Sequence, residues 1–253
     1  MTFRDHFSSA ADEYASFRPR YPDALFEALA KLTPRRELAW DCATGSGQAA
    51  GSLARLYNAV IATDASRAQI DAAPPVPGVT FRVAHAEASG LPDASADLIT
   101  VAQALHWLDI PAFYREATRV LRAGGALAVW CYGLVEAGDD LDAPLRHFYS
   151  ETVGPYWPPE RHLVDTGYRT LPFPFDEVPL PQLAIEQPLT LESLAGYLRT
   201  WSAVQRYREA RGADPVAPLV RELADAWGPA DHARVVRWPL HVRAGRRPLP
   251  TLS

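Results

Sequence analysis

The stretch Trp40 to Ser66, WDCATGSGQAAGSLARLYNAVIATDAS, carries two acids, Asp41 and Asp64, around a turn that contains Gly45 and Gly47. GSGQAA, Gly45 to Ala50, has the glycine spacing of a dinucleotide-binding turn, and Asp64 follows where a ribose-binding acid belongs. Taken alone, that pattern is loose. A nicotinamide cofactor presents its pyrophosphate to such a turn, and a carboxylate just ahead of the turn repels that charge. Asp41 is such a carboxylate.

A ligand with a cationic amino group, a ribose diol and no phosphate suits the same residues better. S-adenosylmethionine has this chemistry: an ammonium for Asp41, two ribose hydroxyls for Asp64, and a carboxylate that tolerates a helix amino end. Cys42 and Cys131 sit in apolar contexts, too few for a disulfide framework and without a metal-ligand pattern, so no metal is expected.

The elements that must position these residues can be read from periodicity. PDALFEALAKL (22–32) opens with Pro22 and sets Leu25, Leu29 and Leu32 on one helical stripe. QAAGSLARLY is a helix with Ala49, Leu53 and Leu56 on one face, and AVIAT is a buried strand ending at Asp64. A short helix near Ser66 to Ala72 leads to VTFRVA and ADLITVAQ, both strands. DIPAFYREATRVLRAGG is a helix capped by Asp109, with Pro111 in its first turn and Gly124 as its stop; ALAVWCY is the fifth strand. Strands and helices alternating at this spacing predict a doubly wound parallel sheet with its ligand at the carboxyl ends of the strands.

Beyond Cys131 the texture changes. PYWPPERHLVDTGYRTLPFPFDEVPLPQ is dense in proline and aromatic residues, too irregular for the sheet and too apolar for a disordered linker, and reads as a packed cap. Two helical stretches follow, and ARVVRWPLHVRAGR alternates as a closing antiparallel strand should. The expected organisation is a core over 1–131 with an N-terminal lid helix, a cap and helices over 132–232, and a closing strand and tail over 233–253.

Several segments together resemble a known family. FSSAADEYASFRPRYP, DCATGSGQ, Asp64, AHAEASGLP, DLITVAQALHWLD and RVLRAGG are similar to the class I S-adenosylmethionine-dependent methyltransferases, in particular the small-molecule branch that includes trans-aconitate methyltransferase-like proteins. The resemblance implies an α/β fold, a doubly wound, mostly parallel seven-stranded Rossmann-like sheet with an antiparallel closing strand and a helical, irregular cap. It also implies that Ala43, Gly45 and Gly47 lie against the methionine portion, that Asp64 binds ribose, that Ala86 and Glu87 flank adenine, and that Gln103 borders the cofactor. Tyr14 and Arg18 belong to a segment expected to fold over the cofactor, with Arg18 pairing to its carboxylate; they would otherwise simply tie down an amino-terminal helix. Ala43 stands where the first loop glycine is common, so the turn is expected to keep an ordinary backbone there. His85 stands where an adenine-contacting acid is often seen.

His106 and Trp107 follow the fourth strand, where the transferred methyl should emerge. His106 is the candidate catalytic base and Trp107 a substrate-side residue, the alternative being a packing tryptophan beside a structural histidine. Tyr132 and Trp157 are further substrate-side candidates within an aromatic set that includes Tyr168, Phe173 and Trp201 and is otherwise core of the cap. Arg161, Arg169 and Arg206 could hold an acidic acceptor, or be exposed.

The chain of 253 residues has a formal net charge of -5 and nearly half apolar residues, which argues against nucleic-acid partners. Neither a membrane span nor a signal peptide is expected, and a cytoplasmic enzyme acting on a small molecule is the reading. Two alternatives stand beside it: a nicotinamide-dependent oxidoreductase, disfavoured by Asp41 and by Lys31 being the only lysine, and a non-catalytic cofactor-binding interaction module.

Overall fold

The computed structural model describes residues 19–229 and 231–248. Five strands run in parallel: β1 (Leu38–Cys42), β2 (Ala59–Asp64), β3 (Val79–Val83), β4 (Ala96–Ala102) and β5 (Leu121–Tyr132). Between them lie α1 (Asp23–Ala30), which precedes β1, and α2 (Ala50–Ala54), α3 (Arg67–Ala72) and α4 (Ile110–Val120). The cap segment folds as α5 (Asp139–His147), α6 (Arg161–Asp165), β6 (Asp176–Glu177), β7 (Leu183–Leu189), α7 (Leu191–Arg199), α8 (Ser202–Arg211) and α9 (Val216–Trp227), before β8 (Arg234–Arg246) closes the sheet.

The sheet order is β3-β2-β1-β4-β5-β8-β6, with β7 also paired to β8. Chain order reverses between β1 and β4, and that switch point is where a ligand crevice opens at the carboxyl ends of the strands. The antiparallel closing strand is present, Tyr132 pairing with Leu240 and Ala126 with Arg246. The sheet has eight strands, not seven. β8 is long enough to outrun β5, and its first half pairs with β7, so part of the segment expected to be cap returns to the sheet. Pro188 within β7 obscures that strand in the sequence; β7 pairs with a single neighbour, where a missing N–H is tolerated.

Burial follows the pleat. Leu98 and Trp130 face one side, against Leu25, Phe26, Leu29 and Leu53 of α1 and α2, in a core that continues through Leu194, Leu223 and Trp238. Ile99, Val101, Val129 and Cys131 face the other, against Phe113, Ala117 and Val120 of α4 and Val164 and Tyr168 of the cap. The helices of the cap thus share the sheet's own cores.

Asp109 caps α4, accepting a hydrogen bond from Ala112 N–H at 3.1 Å. The helix stops at Val120, short of the expected Gly124. Leu121 turns extended and pairs directly with Ala96, so Gly124 already lies within β5. Among the described residues no helix is long and apolar enough to cross a membrane, and no His, Cys, Asp and Glu cluster could hold a metal ion.

Candidate functional site

Asp41 lies opposite Thr100 in the β1–β4 register and is fully buried. Its Oδ1 accepts from Thr100 Oγ1 at 2.8 Å and its Oδ2 from Thr44 Oγ1 at 2.5 Å. Among the described residues no cationic side chain pairs with it. Burial raises its carboxyl to about 6, against the pull of the two hydroxyls. Both Asp41 oxygens are thus engaged by hydroxyls, and Thr44 ties the carboxylate to the glycine turn.

The loop above is fastened to β2. Thr44 N–H donates to Thr63 O at 2.9 Å, and Asp64 accepts twice, from Gly45 N–H and from Ser66 N–H, each at 2.9 Å. Ala43 takes φ +53°, contrary to the ordinary backbone expected at that position. The chain needs a left-handed residue to turn off β1, and alanine supplies it at a cost of about 1–2 kcal/mol. Gly47, at φ +89°, has a reason the sequence does not show: an added Cβ would lie 2.9 Å from the Phe81 ring of β3. At Gly45 the only heavy atom of the described residues near such a Cβ is Gln69 Oε1 at 3.7 Å, so this residue leaves that face of the turn open.

The segment after β3 is tied to α4. Ala86 is buried in the core on that side, and Glu87 Oε1 accepts from Asp109 N–H at 3.0 Å. His85 is exposed. The anchor that sequence reasoning missed is Glu116, whose Oε1 accepts from Ser89 N–H at 2.8 Å and Ser89 Oγ at 2.5 Å. The hydrogen bond from Arg119 holds the Glu116 carboxyl down at about 2, against its burial. An acid and an arginine three apart on an amphipathic helix were the available signal.

At the end of β4, Gln103 also adopts a left-handed φ of +54°. Its amide clasps the last residue of β5, Nε2 donating to Tyr132 O at 3.1 Å and Oε1 accepting from Tyr132 N–H at 2.9 Å. The expected cofactor-bordering residue thus has a structural bond of its own. Tyr132, expected on the substrate side, is buried, with its ring 6.4 Å from that of Tyr21.

The chain then makes a short turn, Leu105–Trp107. His106 Nδ1 lies 2.8 Å from Tyr168 Oη, and the Trp107 ring lies 4.7 Å from the imidazole. Tyr168 is itself left-handed, φ +59°, following Gly167, where a Cβ would strike the His241 ring. That sharp reversal delivers the phenol to His106. Burial pushes the Tyr168 hydroxyl far up, so it stays protonated. Trp157 is not at this turn; it stacks with Tyr149 and Trp201 in the cap, beneath Arg161. Of the other arginines, Arg169 is exposed and Arg206 reaches the Tyr156 carbonyl at 3.5 Å. Tyr14 and Arg18 lie outside the described residues.

Comparison with known proteins agrees with this geometry. A family described as a methyltransferase domain matches residues 40–129, from β1 through β5. A Dictyostelium discoideum protein named "Putative methyltransferase" is 35% identical over 233 residues, 90% of this chain and 89% of that protein. A solved structure from Anaeromyxobacter dehalogenans, named "Putative Type II Methyltransferase", superposes with a TM-score of 0.88 at 45% identity, covering 92% of this chain and 99% of that one. A Haemonchus contortus N-methyltransferase solved with S-adenosylhomocysteine shares the fold, at TM-score 0.51 and 15% identity over 98% of this chain and 60% of that one. With the strand order reversing between β1 and β4, and the glycine turn and Asp64 in place, the chain belongs to the class I S-adenosylmethionine-dependent methyltransferases.

Proposed function

We propose that the chain transfers a methyl group from S-adenosylmethionine to a small-molecule acceptor in the crevice between the 43–49 loop and the 105–107 turn. The observation that carries this reading is the donor set of the loop. Gly45 N–H, which a pyrophosphate would need, is already taken by the Asp64 carboxylate, and a second carboxylate, Asp41, lies below without a counter-ion among the described residues. Two anionic groups at the turn suit an ammonium and a diol, and oppose a dinucleotide.

In this reading Asp64 receives the ribose hydroxyls, Gly45 leaves room for the methionine portion, and Ala86 with Glu87 walls the adenine. Asp41 attracts the ammonium through the low-dielectric interior, without direct contact. When bound, the cofactor supplies an electrophilic methyl on a sulfonium, so the chain's own tasks are positioning, exclusion of water and proton management. His106 manages the proton. Tyr168 fixes its ring; in the tautomer where Nδ1–H donates to the phenol oxygen, Nε2 carries a lone pair and takes the proton that a hydroxyl acceptor gives up. A carboxylate acceptor loses no proton, and His106 then only positions it.

Isothermal titration separates the alternatives. Saturable binding of S-adenosylhomocysteine with no heat from NADH is the expected outcome; the reverse pattern would sink the reading.

A further inference from the structure

Arg161 is largely withdrawn from solvent, its side chain 17% exposed. The guanidinium lies 4.5 Å from the Trp157 ring centroid and 5.3 Å from that of Tyr149. Its Nε donates to Tyr149 Oη at 2.7 Å and lies 3.4 Å from Asp165 Oδ1, while Tyr149 Oη donates to the same Asp165 oxygen at 2.5 Å. These contacts all engage the Nε side. Among the described residues Nη1 and Nη2 have no hydrogen-bond partner, and neither is sealed inside the protein. A guanidinium carries five N–H donors; here four remain unused on a group whose plane is fixed by two rings and an acid.

The placement matters as much as the valence. α6, which carries Arg161, packs on the 105–107 turn that carries His106, and the Val164 carbonyl in the same helix accepts from Cys131 Sγ at the carboxyl end of β5. Tyr149 and Asp165, the two groups that hold Arg161, form part of the wall of a cavity of about 530 Å³, which Arg161 itself does not line; that volume is in the range of small-molecule sites. Two acids of that wall are already engaged: Glu136 pairs with Arg237, and Asp142 accepts from Ala137 N–H. Arg146, also in the wall, has no counter-ion among the described residues.

We propose that Arg161 is the anion anchor of the acceptor site: Nη1 and Nη2 together take a carboxylate of the small-molecule methyl acceptor. The proposal rests on the methyltransferase reading for the word acceptor, and on geometry alone for the carboxylate. The planar fork matches a carboxylate in two parallel hydrogen bonds. The stacked rings hold the guanidinium in place before the ligand arrives, which reduces the ordering cost of binding. An ammonium ligand would meet the same fork with like charge, and a neutral amide would satisfy only part of it.

Phenylglyoxal, which attacks the Nη groups of arginine, tests the anchor on the wild-type protein saturated with S-adenosylhomocysteine. Mass spectrometry should find Arg161 modified, with benzoate and succinate slowing the modification at concentrations where benzamide and succinamide do not. An unreactive Arg161, or equal protection by acids and amides, overturns the proposal. Methyl transfer from labelled S-adenosylmethionine to matched acids, amides, alcohols and amines is the second measurement. An acid should be the acceptor, and Arg161→Lys should raise its KM by about 30-fold or more, the scale of a lost charged hydrogen bond, with S-adenosylhomocysteine affinity unchanged. An amine or alcohol lacking any acid group, turned over equally by parent and variant, overturns it. Failure of S-adenosylhomocysteine to bind at the outset would instead overturn the methyltransferase reading, and the phenylglyoxal result would still decide the carboxylate.

Discussion

β1 and β4 lie side by side, and each end of the pair holds a buried acid. At the amino end, Asp97 is 2% exposed and fully provided for: Glu37 and Leu38 N–H donate to Oδ2 at 2.8 and 3.0 Å, and Arg122 Nη1 to Oδ1 at 3.0 Å. At the carboxyl end, Asp41 is 0% exposed and has two hydroxyls and, among the described residues, no cation. The backbone does not divide the same way: Ala43 and Gln103, just past the carboxyl ends, are left-handed without being glycine, and so is Ala94, two residues before β4 at the amino end. Among the described residues, the buried charge without a cationic partner lies at the carboxyl end of the two strands. One end is built for stability, and the other carries costs that a bound ligand can relieve.

Removing Asp97 should have the largest effect. Asp97→Ala leaves two backbone donors and the Arg122 guanidinium without their acceptor, and urea denaturation should show a loss of about 3–5 kcal/mol. The folded fraction should bind S-adenosylhomocysteine normally; a binding defect would erase the distinction between the two ends.

Next comes His106→Ala, which should lower turnover of a hydroxyl acceptor by about 100-fold, the scale of a positioned base. Cofactor affinity and thermal midpoint should hardly move, and the acidic limb of the pH–rate profile should disappear. A stability loss with an unaltered profile would assign His106 to packing.

Asp41→Asn should separate binding from stability in opposite directions. The folded protein keeps the Asp41 proton up to about pH 6, whereas the unfolded chain releases it near the ordinary value of 3.8. Between those values the folded state binds more protons, so stability falls as pH rises through the window. The variant should therefore be more stable than the parent at pH 7 by about 1–2 kcal/mol, with the gain fading as the pH is lowered towards 4. S-adenosylhomocysteine should bind it about tenfold more weakly or worse. A variant destabilised at pH 7 would mean that the two threonines compensate the charge after all.

The smallest effect belongs to Ala43→Gly. Relief of the left-handed alanine, partly offset by the entropy of glycine, should raise stability by about 0.5 kcal/mol. A loss would show that the alanine methyl has a packing role at the turn.

Much of this was legible in the chain. The alternation of apolar runs revealed the parallel strands, Asp64 marked the end of β2, and Asp109 marked the start of α4, because each is a local pattern. What stayed hidden depends on partners far away in sequence. Thr100 reaches Asp41 only once β1 and β4 pair, Phe81 explains Gly47 only once β3 is placed, and the Tyr168–His106 bond spans 62 residues. Ala43 misled for a different reason: residue type predicts backbone angles only where nothing else overrules it, and here the route off β1 does. Trp157 read as core or pocket and Arg161 as acceptor-holding or exposed; the structure sets the Arg161 guanidinium 4.5 Å from the Trp157 ring, a pairing no local pattern showed.

The amide of Gln103 is a peptide group carried on a side chain. By meeting both the N–H and the C=O of Tyr132 it adds a false rung to the β4–β5 ladder, so the sheet is one step longer than its main chain. The backbone is released early and can swing towards His106 while the sheet's end remains closed. Such a rung is specified by reach and by polarity together. Asparagine carries the same groups one methylene short, and glutamate has the reach but presents an oxygen to the Tyr132 carbonyl. A Gln103→Glu protein would hold the rung only while that carboxyl kept its proton, which would turn a permanent splice into an acid-dependent latch.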